Sequence, residues 1–145
     1  MSTPGLVADF YERLWHAGDR GALREVLHEE VRFRGSLGAE LSGAEAFWTY
    51  LTSVRAALAD YRCEILECVT ENESAFAKMR FSGTHVGDFR GFPPTGGKVE
   101  WLGAAHFVIQ RGRIAQIWVL GDLAGLDENL RENARRHHPA SRPTG

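Results

Sequence analysis

Ser74-Ala-Phe-Ala-Lys-Met-Arg-Phe-Ser-Gly-Thr-His-Val86 decides the fold. Its odd positions, Ala77, Met79, Phe81 and Gly83, are small or apolar, and Lys78, Arg80 and Ser82 fall between them. That alternation has the period of a strand with one buried face. Similar strands are predicted on both sides, at Tyr61 to Glu71, Lys98 to Gln110 and Arg113 to Gly121. Glu71-Asn72-Glu73 and Arg111-Gly112 supply tight hairpin turns, and Phe89 to Gly97, with Pro93-Pro94, reads as a longer loop.

Upstream the period is helical. Val7, Phe10, Tyr11 and Leu14 mark one face of a first helix, with Thr3 and Pro4 at its start and Gly18 at its end. A short helix is expected over Arg20 to Leu27, then an extended or hairpin segment from Val31 to Leu41 turning at Gly35 and Gly38. Ser42-Gly-Ala-Glu45 reads as a capping box opening a helix striped by Phe47, Tyr50, Leu51, Val54 and Leu58. A last short helix is predicted from Leu123 to about Arg135. Helices followed by hairpins give an α+β fold. The expected form is a cone-shaped, barrel-like, curved antiparallel sheet wrapped around the N-terminal helices and enclosing a pocket. One domain, residues 1–134, holds all of this, and residues 135–145 read as a disordered tail.

Composition is ordinary for a globular chain of 145 residues: 43% hydrophobic, 25% charged, net charge -2. No basic stripe interleaved with aromatics points to nucleic acid, and no apolar run is long enough for a bilayer. The Met1-Ser-Thr-Pro-Gly start lacks the blocks of a signal peptide, so a cytoplasmic protein is expected. Cys63 and Cys68, five apart, are expected on opposite faces of one strand, reduced and inert. Gly91 to Lys98 only imitates a phosphate loop, since its lysine is misplaced and a strand follows. There is no nucleophile-elbow motif and no Cys/His cluster for a metal.

The string from Phe81-Ser-Gly-Thr-His85 through Phe92-Pro-Pro-Thr-Gly96 is the most specific part of the chain. With Trp101 and Gly112-Arg-Ile-Ala-Gln-Ile-Trp118-Val-Leu-Gly-Asp122-Leu-Ala-Gly125, it resembles the SnoaL-like polyketide cyclase family, of nuclear transport factor 2-like fold. Phe10-Tyr11 and Gly18-Asp19 suit the same family, so the likeness spans nearly the whole chain. The resemblance implies aldol-type ring closure of a polyketide, a hydrophobic small-molecule partner, no cofactor, no metal and a homodimer.

Three residues are candidates for the chemistry. Asp122 looks like the family's acid/base aspartate. On a regular strand it shares a face with Ile114, Trp118 and Leu120, which would raise its pKa, although it is also a good N-cap for the next helix. His85 ends the Ser74–Val86 strand on its apolar side, placed to steady an oxyanion or simply to bond a loop carbonyl. His106 lies mid-strand with Leu102, Ala104 and Val108, its face open to a register slip. Tyr11, Trp15, Trp48, Tyr50, Leu51, Phe81, Trp101 and Trp118 are candidate pocket walls. Four other functions compete. A shape-driven cycloaddition needs no acid. Epoxide or ether formation wants a second carboxylate, from Asp9, Asp19, Glu40 or Glu45. The remaining two are sequestration of a hydrophobic ligand and a plain interaction module.

Overall fold

The computed structural model describes residues 3–137. Helix α1 (Gly5–Asp9) continues without a break into a π-helical segment, Phe10–His16. The wider turn aims Phe10, Tyr11, Leu14 and Trp15 together at the sheet, all buried. Gly18, at φ 65°, ends the helix. The expected second helix is a 3-10 turn, Arg20–Ala22, followed by one turn of helix, α2 (Leu23–Val26). Next come β1 (Leu27–Arg34), β2 (Glu40–Ser42) and α3 (Ala44–Ala57). The second half is β3 (Leu58–Glu71), β4 (Ser74–His85), β5 (Lys98–Gln110), β6 (Arg113–Gly121) and α4 (Leu123–His137).

The six strands form one curled, unclosed sheet in the order β2-β1-β6-β5-β4-β3. α1, its π-helical extension and α3 fill the concave side, so the α+β cone stands as expected. One pairing differs from the expected antiparallel sheet: β1 runs parallel to β6, because a chain that leaves for four strands and returns beside β1 does not arrive by a hairpin.

Three local expectations need correction. Ser42 does not cap α3. It is the last residue of β2, and Gly43, at φ 100°, is the cap, without a side-chain bond. Glu45 turns instead to Arg20 and Arg24, whose guanidinium nitrogens donate to it at 2.8 Å. Cys63 and Cys68 are both buried, not opposed, because β3 bulges at Leu66: Ile65 pairs with Met79 and Glu67 with Lys78. α4 continues through His137, three residues into the stretch read as tail, where Arg135 and Arg136 pair with Glu132 one turn back. Residues 138–145 of that tail lie outside the described residues.

Candidate active site

Inside the cone, aromatic rings from every layer meet edge to face. Trp15 sits 5.2 Å from Tyr61, 5.7 Å from Phe47 and 6.2 Å from Tyr50. Phe33 closes on Tyr50 at 5.5 Å. Between them lies a chamber walled by Phe10, Tyr11, Trp15, Phe33, Ser36, Tyr50, Tyr61, Cys63, Phe81 and Val119, with a cavity of about 20 Å³. That volume holds about one water.

Four of the expected wall residues, Tyr11, Trp15, Tyr50 and Phe81, are in it. Trp101 stands behind the wall, 5.4 Å from Phe81 and 6.1 Å from Tyr61. Its indole nitrogen abuts Gly121, where a Cβ would come within 3.1 Å of it and of Ser36 Cβ. Ser36 and half-buried Tyr50 both line the chamber, and Ser36 abuts Gly121 at the end of β6. Leu51 is fully buried but belongs to the core beside the chamber. Trp48 leaves the chamber altogether and lies under the Arg20 guanidinium at 5.6 Å. Tyr61 and Cys63, not anticipated, enter by alternation along β3, and the aromatic–x–cysteine pattern at a strand start was the available signal.

Two polar atoms in and just behind the wall stand out. The Tyr11 hydroxyl and the Trp101 indole N–H are buried without a hydrogen-bond partner. Such a group costs about 1–3 kcal/mol when left unpaired. Burial holds the Tyr11 and Tyr61 phenols well above the usual tyrosine range, with Cys63 adding to both, and pushes Tyr50 up to about 12. Burial raises the Cys63 thiol as well. All four groups stay protonated at neutral pH. Among the described residues, no carboxylate and no imidazole lines the chamber.

The three expected catalytic residues are not brought together. Asp122 is exposed, and its Oδ1 accepts the Gly125 backbone N–H at 2.9 Å, capping α4. Its expected apolar row fails because β6 bulges at Ala115: Ile114 pairs with Ile109, but Gln116 pairs with Val108. The extra residue moves Trp118 and Leu120 to the outer face, where they are 44% and 50% exposed. The Arg34 guanidinium lies 5.7 Å from the Trp118 ring. His106 shares that outer face, paired with Trp118 and 6.1 Å from the Phe76 ring. His85 is fully buried on the inner face. Its Nε2 lies 3.2 Å from the Phe92 carbonyl and therefore donates, while Nδ1 takes the Thr95 hydroxyl at 3.2 Å. Both nitrogens are thus committed to the loop between β4 and β5. No group of three or more His, Cys, Asp or Glu among the described residues could hold a metal ion. Among the described residues, no helix is long and apolar enough to cross a membrane.

The fold has counterparts among solved structures. TsrD of Streptomyces laurentii is 30% identical, with TM-score 0.76 over 86% of this chain and 91% of its own. A candidate polyketide cyclase of Acidithiobacillus ferrooxidans is 22% identical, with TM-score 0.78 over 92% and 99%. A SnoaL-like polyketide cyclase of Agrobacterium tumefaciens is 19% identical, with TM-score 0.73 over 90% and 99%. No curated protein matches this chain in sequence. The family model described as SnoaL-like polyketide cyclase matches residues 5–130, nearly the whole described fold, and the chain belongs to that family.

Proposed function

We propose that this protein takes a carbonyl-rich, polyketide-like molecule into the aromatic chamber and promotes its intramolecular ring closure, without a cofactor, by confinement and neutral hydrogen-bond donors. The observation that carries this reading is the buried, unpartnered Tyr11 hydroxyl in a wall that has no carboxylate. A buried polar group left without a partner in a native fold calls for one. A poly-β-ketone supplies its own enol, so a base is not required. The enol carbon attacks a carbonyl carbon and a C–C bond forms. The enol oxygen becomes a ketone, and its proton passes to the new alkoxide, giving a hydroxyl. Tyr11 donates to an oxygen that carries charge on the way and does not ionise. Holding the chain folded supplies the rest of the rate. The cavity is too small for such a molecule, so on this reading the wall gives way at half-buried Tyr50 and at Ser36 on the Gly35–Gly38 turn.

The test uses a hydroxyanthraquinone as probe and Trp15 fluorescence as readout. Tyr11→Phe should weaken binding about 2–10-fold, the value of one neutral hydrogen bond. A linear poly-β-ketone thioester should then give a ring-closed product of unchanged mass, at a rate flat from pH 6 to 9. Binding without product would make the chamber a sequestering pocket. Absence of binding would sink both. A second reading keeps Asp122 as the acid/base group, because it follows Gly121, which abuts Ser36 of the chamber wall. That reading requires a rate that titrates with a carboxylate. Two-carboxylate epoxide or ether chemistry finds no support in these walls.

A further inference from the structure

Between the end of the π-helical segment, α3 and the start of β3 lies a surface groove of about 420 Å³. Its walls are polar where those of the chamber are aromatic: His16, Thr52, Arg55 and Asp60 line it. Arg55 ties two of the three elements together by donating to the His16 carbonyl at 3.3 Å. Among the described residues, Tyr61 alone lines both the groove and the chamber. Its buried ring is therefore the partition between a large polar space outside and a small aromatic one inside.

The ring stands on a break in strand pairing. Ala59 pairs with Thr84 and Arg62 with Ser82, so three steps along β3 match two along β4. Asp60 lies in this bulge at φ 54°, a left-handed conformation that aspartate accepts more readily than most residues. Gly83 makes room opposite: a Cβ there would lie 3.0 Å from Leu58 Cβ and 3.3 Å from the Ala59 carbonyl oxygen. The bulge turns Tyr61 inward beside Cys63, and the phenol and thiol share a hydrogen bond. β3 is the last strand of the sheet, so its outer edge has no strand to bond. His16 takes that place at Cys63. Its Nε2 accepts the Cys63 N–H at 2.9 Å, which leaves Nδ1 as the donor to Glu12 at 3.3 Å. This side-chain bond pins the stretch that carries Tyr61 to the π-helical segment.

We propose that Tyr61 sets the length of the ligand: its ring closes the chamber against the groove, and a longer molecule displaces it and lays a polar end among Thr52, Arg55 and Asp60. His16 is a positioning residue, acting on Tyr61 through the Cys63 backbone. The length limit rests on the chamber being the ligand site proposed above, and the partition itself does not. The first measurement is alkylation by iodoacetamide, mapped to single residues. Cys63, in the chamber wall, is the reporter, and Cys68, buried farther along the same strand, is the control. Tyr61→Ala should raise alkylation of Cys63 by roughly tenfold and leave Cys68 unchanged, as a local opening would. Tyr61→Leu, tested beside it, leaves a smaller void and should act in the same direction. Tyr61→Phe, which keeps the ring, should stay closed. His16→Ala should raise Cys63 alkylation about 2–10-fold, the value of one lost hydrogen bond, and His16→Gln, whose amide oxygen can accept the same N–H, should reverse the rise. The second measurement is binding of a hydroxyanthraquinone with and without a hydroxyhexyl chain. The wild type should prefer the bare ring system, and Tyr61→Ala the chain-bearing one. A Cys63 as slow in Tyr61→Ala as in the wild type overturns the partition, as does an equal rise at both cysteines. Probes that bind both proteins in the same order of preference overturn the length limit. A rise confined to Cys63, with no probe bound by any variant, supports the partition and sinks the chamber reading.

Discussion

Asp122→Asn separates two jobs that one carboxylate cannot do at once. Asparagine is as good an N-cap as aspartate, so the variant should keep its stability and, on the neutral-donor reading, its ring-closing rate. Asp122→Ala should cost about 0.5–2 kcal/mol in chemical denaturation through the lost bond to Gly125. A collapse of turnover in the asparagine variant, with the fold unchanged, would return Asp122 to the chemistry. The capping role was legible in the sequence, because Asp122 stands one residue before a helical stretch. Tyr11, Trp15, Tyr50 and Phe81 were legible too, since each sits on the apolar stripe of its own element. The unpartnered state of the Tyr11 hydroxyl was not, because it depends on what five other elements fail to offer it.

At the scale of elements, alternation was reliable only where the strand is regular. β4 keeps strict parity from Ala75 to His85, and every inward residue expected there is inward. β3 takes in an extra residue between Ala59 and Arg62 and another at Leu66, β6 takes in one at Ala115, and each insertion reverses every face beyond it. That is why Cys68 turned inward and Trp118 outward. Nothing in the local composition of Leu66 or Ala115 marks a bulge, which is chosen by the curvature of the whole sheet. The loop from Val86 to Gly97 makes a matching prediction. It is tied to the sheet by the His85 ring and to α4 by the Arg90–Asp127 pair, 2.7 Å apart. His85→Ala should speed hydrogen exchange through residues 86–97 while β5 stays protected. Uniform loosening of the whole sheet would mean that His85 supports the core instead of the loop.

For the whole molecule, the chamber sets the alkaline limit. Burial raises Tyr11, Tyr50, Tyr61 and Cys63 above their values in the unfolded chain. A raised pKa gives stability that is complete below the unfolded value and is lost as pH climbs towards the folded one. Denaturant midpoints should therefore hold to about pH 8 and fall from about pH 9 upward, where free thiols and then free phenols ionise. Tyr61→Phe should make the fall shallower, and a midpoint that is level to pH 11 would contradict the buried assignment.

The parallel seam between β1 and β6 also governs how the chain finds this shape. Arg34 meets Trp118, so the join waits for residues more than eighty positions apart to come together. The three hairpins of the second half can form early from local contacts, but the β1–β2 hairpin has no other strand to join until β6 exists. Loop closure of that length must be met before any contact rewards it, which places assembly of the cone among slow events. During synthesis on a ribosome, the N-terminal helices and first strand would stand half-dressed until the last strand has emerged.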